Sequence, residues 1–345
     1  MICFGTANTS NKRQFFARAL LAVLVTLFVA NNANAQEEEK PLVIETSLVQ
    51  LNVGVVDRQG RAITSLSRND FSVYEDGVKQ TIQSFEPTDA PFSLVLLLDV
   101  SGSTSTFRPQ LKFAATRFLD ALAPDDRVAV IAFNAKVKAL TGFSTNHSKA
   151  AYAIQIAEGG GETHFYDALS FALNELQKEG RQRRKAIVVL TDGLDTGMRK
   201  LDRAVVANAQ TDQEAIAALK PENQTVSAVL SDAARQGVTI YPLALPSGDP
   251  KRLPLPDPTI NGIYMAARTR LQTLADRTGG RLSEIRRLED LAELYREVAA
   301  ELRSLYTVAY QAPSQHARDG KWHEIRVEVS RPELIARTRP GYYAR

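Results

Sequence analysis

Two kinds of hydrophobic periodicity divide the chain. Between residues 41 and 88, apolar and polar residues alternate, most regularly from Val49 to Val55. Alternation with period two is typical of strands that bury one face. The pair Asp76-Gly77 follows the second such strand and is a strong signal for a hairpin turn. Segment 36–90 is therefore predicted to be a small all-β unit.

The pattern changes at residue 91. Continuous apolar runs within 93–100 and 185–192 replace the alternation, and amphipathic helical segments lie between them. Strands that are apolar on both faces are typical of parallel sheets covered by helices. The alternation of strands and helices over 91–304 predicts a doubly wound, mostly parallel α/β domain.

Period two returns after residue 305, first from Tyr306 to Tyr310 and again from Ile325 to Val329. Segment 305–345 is too short to build its own core, and segment 36–90 is similarly short. We therefore predict that these two segments pair into one β-sandwich in which the α/β domain is inserted. Two independent β appendages are the alternative.

Two stretches interrupt the α/β pattern. Segment 196–224 is polar and partly helical, and segment 246–263 contains five prolines. Both follow the carboxyl ends of predicted strands, the edge at which open α/β sheets bind ligands. They are either part of a partner surface or ordinary surface loops.

The first 35 residues have the organisation of a secretory signal peptide. Three basic residues precede an apolar run from Ala19 to Ala30, and Ala33-Asn34-Ala35 supplies a cleavage signal. The run is shorter than the ~20 residues of a spanning helix, although an uncleaved anchor is the alternative. We expect an exported protein, periplasmic or secreted, with no stable membrane span after cleavage.

Charge and cysteine content agree with export. Segment 1–35 holds three of the 42 basic residues, none of the 39 acidic residues, and the single cysteine, Cys3. Its removal leaves 39 residues of each sign and no thiol, so the mature chain forms no disulfide. Zero net charge provides no global field that would attract nucleic acid. We interpret the basic cluster Arg181, Arg183, Arg184 and Lys185 as a solvated loop before a strand.

Oxygen-bearing side chains cluster where the first buried strand ends. Asp99, Ser101 and Ser103 occupy one tight turn, which Gly102 allows to close. Oxygen ligands without His or Cys suit hard cations such as Mg²⁺, Mn²⁺ or Ca²⁺. By itself, however, the motif is equally typical of a helix N-cap.

Two later residues strengthen the metal interpretation. Thr163 follows three glycines at 159–161, and Asp192 comes directly after the second buried strand. Both lie in loops predicted at the carboxyl edge of the same parallel sheet. We therefore expect them to meet the Asp99 turn in space.

In this order and context, the five residues resemble the metal-ion-dependent adhesion site of von Willebrand factor type A (VWA) domains, over about 91–304. The flanking β segments, with Asp70–Gly77 and the ending Arg339–Tyr343, resemble a group of exported bacterial VWA-related proteins. The resemblance implies that five side chains surround one divalent ion. They are Asp99, Ser101, Ser103, Thr163 and Asp192.

The resemblance also implies how the site works. The neutral hydroxyl ligands leave the ion electrophilic at an open position, which the Asp or Glu of a protein partner completes. An open, water-sharing site with few carboxylates favours Mg²⁺, with Mn²⁺ and Ca²⁺ as alternatives. One departure is Glu162, which stands where the family usually has glycine. It either points to solvent or reaches a water on the metal.

We therefore predict an adhesion or assembly protein and not an enzyme. The four histidines, at 147, 164, 316 and 323, are scattered without ligand spacing, and Asp195 is interpreted as a turn residue. A hydrolase would need a general base or a second metal near the ion, and only Glu162 and His164 stand in the motif loops. The alternatives are a hydrolase that uses the same ion, or a structural envelope protein whose metal only stabilises it.

Overall fold

The computed structural model describes residues 48–180, 183–207, 210–245, 258–285, 287–316 and 319–344. The predicted signal peptide and residues 246–257 of the proline-rich stretch lie outside this part of the chain. Within the described ranges, every helix is too short or too polar to cross a membrane.

The described residues form fourteen strands. They are β1 (Leu48–Val56), β2 (Phe71–Glu75), β3 (Val78–Gln80), β4 (Ile82–Glu86), β5 (Phe92–Asp99), β6 (Arg127–Phe133), β7 (Val137–Ser144), β8 (Arg184–Thr191), β9 (Val238–Ala244), β10 (Ser283–Glu284), β11 (Leu305–Gln311), β12 (Trp322–Val329), β13 (Ile335–Arg337) and β14 (Gly341–Tyr343).

The same residues form eight α-helices, joined by short 3-10 turns such as Gly102–Phe107 and Ser314–His316. The helices are α1 (Arg108–Asp120), α2 (His147–Ile156), α3 (Phe165–Gln177), α4 (Thr196–Val206), α5 (Asp212–Ala218), α6 (Gln224–Gln236), α7 (Pro258–Thr278) and α8 (Leu291–Arg303).

The central sheet has six strands in the order β10-β9-β8-β5-β6-β7. All neighbours are parallel except β7, which runs antiparallel to β6. Apolar residues of α1, α2 and α8 cover one face, and those of α3, α6 and α7 cover the other. Strand β5 is buried along its whole length because it lies in the middle of this sheet. The predicted doubly wound α/β domain is confirmed.

The two terminal segments build a β-sandwich together. Its sheets have the orders β13-β1-β11-β4 and β14-β12-β2-β3. Strand β1 pairs antiparallel with β11, and β2 pairs antiparallel with β12, so each sheet contains strands from both ends of the chain. The inward-facing side chains form one apolar core between the sheets. The predicted pairing is confirmed, and the two segments are not independent appendages.

Arg184 lies where the chain passes from the sandwich into the α/β domain and where it returns. Its guanidinium donates hydrogen bonds to carbonyl oxygens of segment 88–90 and of segment 302–305. These acceptors stabilise a buried cation that water no longer reaches. The prediction of a solvated basic loop is wrong for Arg184 and Lys185, which are both 4% exposed within β8. Arg181 lies outside the described residues.

The polar insert 196–224 folds as α4 and α5, which pack against α7 around a small apolar core. A buried bidentate ion pair joins Arg270 of α7 to Asp202 of α4, at 2.6 and 2.7 Å. The insert is therefore a packed part of the domain, and it lies next to the loop that carries Asp192. Residues 258–263 of the proline-rich stretch begin α7.

Candidate metal centre

Asp99 ends the central strand β5 with both carboxylate oxygens occupied by hydrogen bonds. The backbone amide of Ser101 donates to Oδ1 at 3.0 Å, and the hydroxyl of Thr191 donates to Oδ2 at 2.8 Å. Asp99 is only 1% exposed. Its orientation is therefore set by its own turn and by the end of the neighbouring strand β8.

The serines of the motif lie side by side at the start of the 3-10 turn. Ser101 Oγ is 3.1 Å from Ser103 Oγ. Thr104 stabilises the turn because its hydroxyl donates to the carbonyl oxygens of Asp99 and Ser101. The turn thus presents two adjacent hydroxyls next to the Asp99 carboxylate.

The glycine-rich loop brings Thr163 to the same turn. The amide of Gly102 donates to the Gly161 carbonyl at 3.1 Å. Gly159 lies so close to β5 that a Cβ atom there would be 2.4 Å from the Val100 carbonyl oxygen. Only glycine allows this approach, since real Cβ atoms do not come so near to backbone oxygen. Thr163 is 7% exposed and lines a cavity together with Ser103.

Asp192 completes the group from the end of β8. Its Oδ1 accepts a hydrogen bond from the Leu194 amide at 3.0 Å. Its Oδ2 is buried and receives no well-directed hydrogen bond from the described residues. The nearby Ser103 hydroxyl nevertheless opposes the rise in the pKa of Asp192 that burial causes. The structure therefore brings all five predicted residues together.

The centre contains two buried carboxylates close together, those of Asp99 and Asp192. Burial and then the negative charge of Asp192 raise the pKa of Asp99 to about 7. A divalent cation would offset both negative charges and would give the unbonded Asp192 oxygen a partner. Because the donors are all carboxylate or hydroxyl oxygens, the residues fit a hard ion such as Mg²⁺.

Asp195 does more than form a turn. One of its oxygens accepts from the Met198 amide at the start of α4, and the other accepts from the Phe165 amide at the start of α3. It therefore caps two helices at once. Thr196 adds a second link, because its hydroxyl accepts from the Thr163 amide at 3.0 Å. No local pattern in the sequence marks these cross-loop contacts, so they are not predictable from it.

Glu162 lines the same cavity as Ser103 and Thr163, but most of its side chain is exposed. Its side chain is 56% exposed, and its oxygens lie 3.7 Å from His164 Nε2 and 3.9 Å from Lys200 Nζ. Asp167, at the start of α3, contacts the other ring nitrogen of His164 at 3.1 Å. The side chain of Glu162 therefore faces solvent from the lining of this cavity.

The chain is similar to one protein family and to several known proteins. Residues 94–194 match the family model of the von Willebrand factor type A domain. The chain therefore contains a VWA domain, and the matched residues run from β5 through the loop that carries Asp192. Domains of this class often serve in adhesion or protein binding, and they commonly hold a divalent cation at a metal-ion-dependent adhesion site.

One relative, an uncharacterized protein of Synechocystis sp., is 36% identical over 108 residues. That region is 30% of this chain and 25% of the relative, so this chain spans about a quarter of that protein's length.

Three solved structures are similar to this chain at low sequence identity. A von Willebrand factor type A protein from Catenulispora acidiphila is 15% identical with a TM-score of 0.46, over 87% of this chain and 64% of that one. The VWF domain of a type V pili tip protein from Porphyromonas gingivalis is 14% identical, TM-score 0.45, over 61% and 95%. An aerotolerance-related membrane protein from Bacteroides fragilis is 15% identical, TM-score 0.43, over 61% and 98%.

Proposed function

We propose that this chain is an exported adhesion or assembly protein that binds a protein partner through one divalent cation. The ion is held by the five side chains of the centre, and an Asp or Glu of the partner completes its shell. Mg²⁺ is the expected ion, with Mn²⁺ and Ca²⁺ as alternatives. The ligands are Asp99, Ser101, Ser103, Thr163 and Asp192.

The observation that carries this proposal is a buried acidic pair beside an open cavity. The cavity has a volume of about 280 Å³ and is lined by Ser103 and Thr163. Without an ion, a partner carboxylate entering it would meet the negative field of Asp99 and Asp192. With an ion, the same carboxylate is attracted, so binding depends on the metal. The cavity lining carries the carboxylates of Glu162 and Asp195 as well as the exposed Arg199, so the ion, and not the lining, would supply the attraction for an acidic partner.

The placement of Glu162 supports binding over hydrolysis. A hydrolase using this ion needs a general base within hydrogen-bond reach of a metal-bound water. Glu162 lines the cavity, but more than half of its side chain is exposed and its carboxylate lies beside His164 and Lys200. We therefore propose that the chain is not an enzyme.

The test separates metal binding from partner capture. Mn²⁺ binding is measured by electron paramagnetic resonance for the wild type, Asp99→Ala and the control Asp232→Ala, whose carboxylate pairs with Arg235 on the surface of α6. The same proteins then serve as bait in pull-downs from an envelope extract, with Mg²⁺ or with excess EDTA. We expect Asp99→Ala to lose Mn²⁺ and partner together, and Asp232→Ala to keep both.

Three outcomes would contradict the proposal. Partner capture that survives EDTA and Asp99→Ala removes the metal bridge. Metal-dependent turnover of an ester or phosphate substrate that is lost in Glu162→Gln favours the hydrolase. Metal that stabilises the chain while nothing is captured in either buffer favours a purely structural site.

A further inference from the structure

We call the candidate metal centre formed by Asp99, Ser101, Ser103, Thr163 and Asp192 the VWA centre. A second cluster of metal-ligating side chains lies in the β-sandwich. Glu75 ends β2, Asp76 begins the following hairpin turn, His316 ends the 3-10 turn after β11, and His323 lies on β12. Each offers one ligand atom, and the four atoms lie within 4.8 Å of one another. The two histidines, which have no ligand spacing in the sequence, stack with ring centroids 4.2 Å apart.

We propose that Glu75, Asp76, His316 and His323 bind one transition-metal ion of the zinc class. The donors are the Nδ1 atoms of the two histidines and one oxygen of each carboxylate. Nitrogen and carboxylate donors together suit Zn²⁺, whereas the all-oxygen VWA centre suits Mg²⁺. The two sites would therefore select different ions.

The spacing of the donors fits a four-coordinate ion. His316 Nδ1 lies 2.6 Å from Glu75 Oε1 and 4.0 Å from Asp76 Oδ2. His323 Nδ1 lies 2.7 Å from Asp76 Oδ2 and 3.9 Å from Glu75 Oε1. Tetrahedral Zn²⁺ with bonds of about 2.0–2.2 Å separates its ligands by roughly 3.3–3.5 Å. Shifts of about 0.7 Å would bring these four nitrogen–oxygen separations to this value. The stacked rings of His316 and His323 would also have to turn, so that the ion lies in the planes of both.

The outer contacts orient these donors as in established metal sites. The second ring nitrogen of His323, Nε2, lies 3.1 Å from Asp319 Oδ1, so that Nδ1 can face the ion. The hydroxyl of Tyr310 donates to the other oxygen of Glu75 at 2.5 Å. Such carboxylate–histidine and hydroxyl–carboxylate contacts fix the ring orientation and raise the basicity of a ligand.

Burial gives the cluster both rigidity and access. Glu75 is fully buried and His323 is 4% exposed, so two ligands are held by the core of the sandwich. The side chains of His316 and Asp76 are 20% and 39% exposed, and they leave a path to solvent. Glu75 and Asp76 come from the N-terminal β segment, and both histidines come from the C-terminal one. A bound ion would therefore link the two terminal segments to each other.

The test is a calorimetric titration of the metal-stripped full chain with Zn²⁺ in excess Mg²⁺, which occupies the VWA centre. We expect one Zn²⁺ per chain in the wild type and in Asp99→Ala. His316→Ala should lose at least 100-fold in affinity, and Asp319→Asn about 10–100-fold. The matched control is His164→Ala, because His164 also contacts two carboxylates, but only at the surface; it should bind Zn²⁺ like the wild type.

A spectrum of the wild type gives a second measurement that does not depend on the folding of a variant. Co²⁺ bound in place of Zn²⁺ should show the intense visible bands of a four-coordinate ion. The proposal is overturned if the wild type takes up no stoichiometric Zn²⁺, if His316→Ala binds Zn²⁺ as tightly as the wild type, or if Co²⁺ shows only the weak spectrum of a six-coordinate ion. Loss of Zn²⁺ in Asp99→Ala would place the ion in the VWA centre.

Discussion

Thr191 donates its hydroxyl to Asp99 Oδ2 at 2.8 Å, from the end of the strand next to the one that Asp99 ends. Thr191, which is not a proposed ligand, thus orients the proposed metal ligand Asp99. Thr191 also accepts from the Gly193 amide at 3.1 Å, so the same hydroxyl shapes the loop that carries Asp192. The Thr191 side chain therefore contacts the Asp99 carboxylate directly and shapes the loop that carries the Asp192 carboxylate.

Replacement of Thr191 by valine should therefore weaken metal binding. Valine keeps the shape of threonine but cannot donate to Asp99, and loss of such an outer contact typically costs about 10–100-fold in metal affinity. A Mn²⁺ titration followed by electron paramagnetic resonance measures the change. Thr269→Val is the control, because that exposed hydroxyl donates to the Met265 carbonyl of its own helix. Equal affinity in Thr191→Val and the wild type would contradict the prediction.

Asp192→Asn should raise the stability of the protein in EDTA, but it should remove the stabilisation that added metal gives the wild type. In EDTA the variant should be more stable than the wild type, because it removes one of two buried carboxylates while the amide oxygen can still accept from Leu194. With Mg²⁺ at 100 times Kd, the wild type should gain about 2.7 kcal/mol and the variant almost nothing. Thermal unfolding in both buffers measures this. A variant that is less stable than the wild type in EDTA would argue against repulsion between the carboxylates.

Gly159→Ala should displace the loop that carries Thr163. The added Cβ would lie 2.4 Å from the Val100 carbonyl oxygen, so the loop must move away from β5. We expect a loss of about 1–3 kcal/mol in the free energy of unfolding, together with weaker Mn²⁺ binding. Gly142→Ala is the matched control, since nothing lies within 4 Å of its Cβ position. If both variants unfold alike, the close approach is not a constraint.

Asp70 should stabilise the sandwich in a pH-dependent way. Hydrogen bonds from the Ser67 amide, the Ser67 hydroxyl and the Ser330 hydroxyl hold the pKa of Asp70 below its usual 3.8. A lowered folded-state pKa means that the stabilisation is present above pH 3.8 and disappears as the pH falls through the folded-state value.

Denaturant unfolding of the wild type and Asp70→Asn between pH 7 and pH 2 measures this contribution. The variant should be less stable at pH 7, and the difference should shrink below about pH 4. Asp232→Asn, at an exposed pair on α6, is the control. A difference that stays constant down to pH 2 would show that the carboxylate charge of Asp70 is not responsible.

The sequence by itself determined the architecture and the VWA centre. Period two at both ends and continuous apolar runs between them predict which faces are buried, and burial is the physical quantity that selects sandwich or parallel sheet. The centre was predictable because Asp99 ends a strand, and Thr163 and Asp192 lie in loops, at the carboxyl edge of one sheet. Strand order then brings the loops together without any further information.

Some contacts join residues that are far apart in the chain, and no periodic pattern in the sequence predicts them. Only the tertiary structure decided these contacts. Arg184 is buried because carbonyl oxygens from two distant crossings surround it. His316 meets Glu75 across 241 positions because β2 and β12 pair in one sheet while β11 lies in the facing one. Periodicity encodes the face on which a side chain lies, whereas these neighbours depend on strand register and on how the two sheets pack.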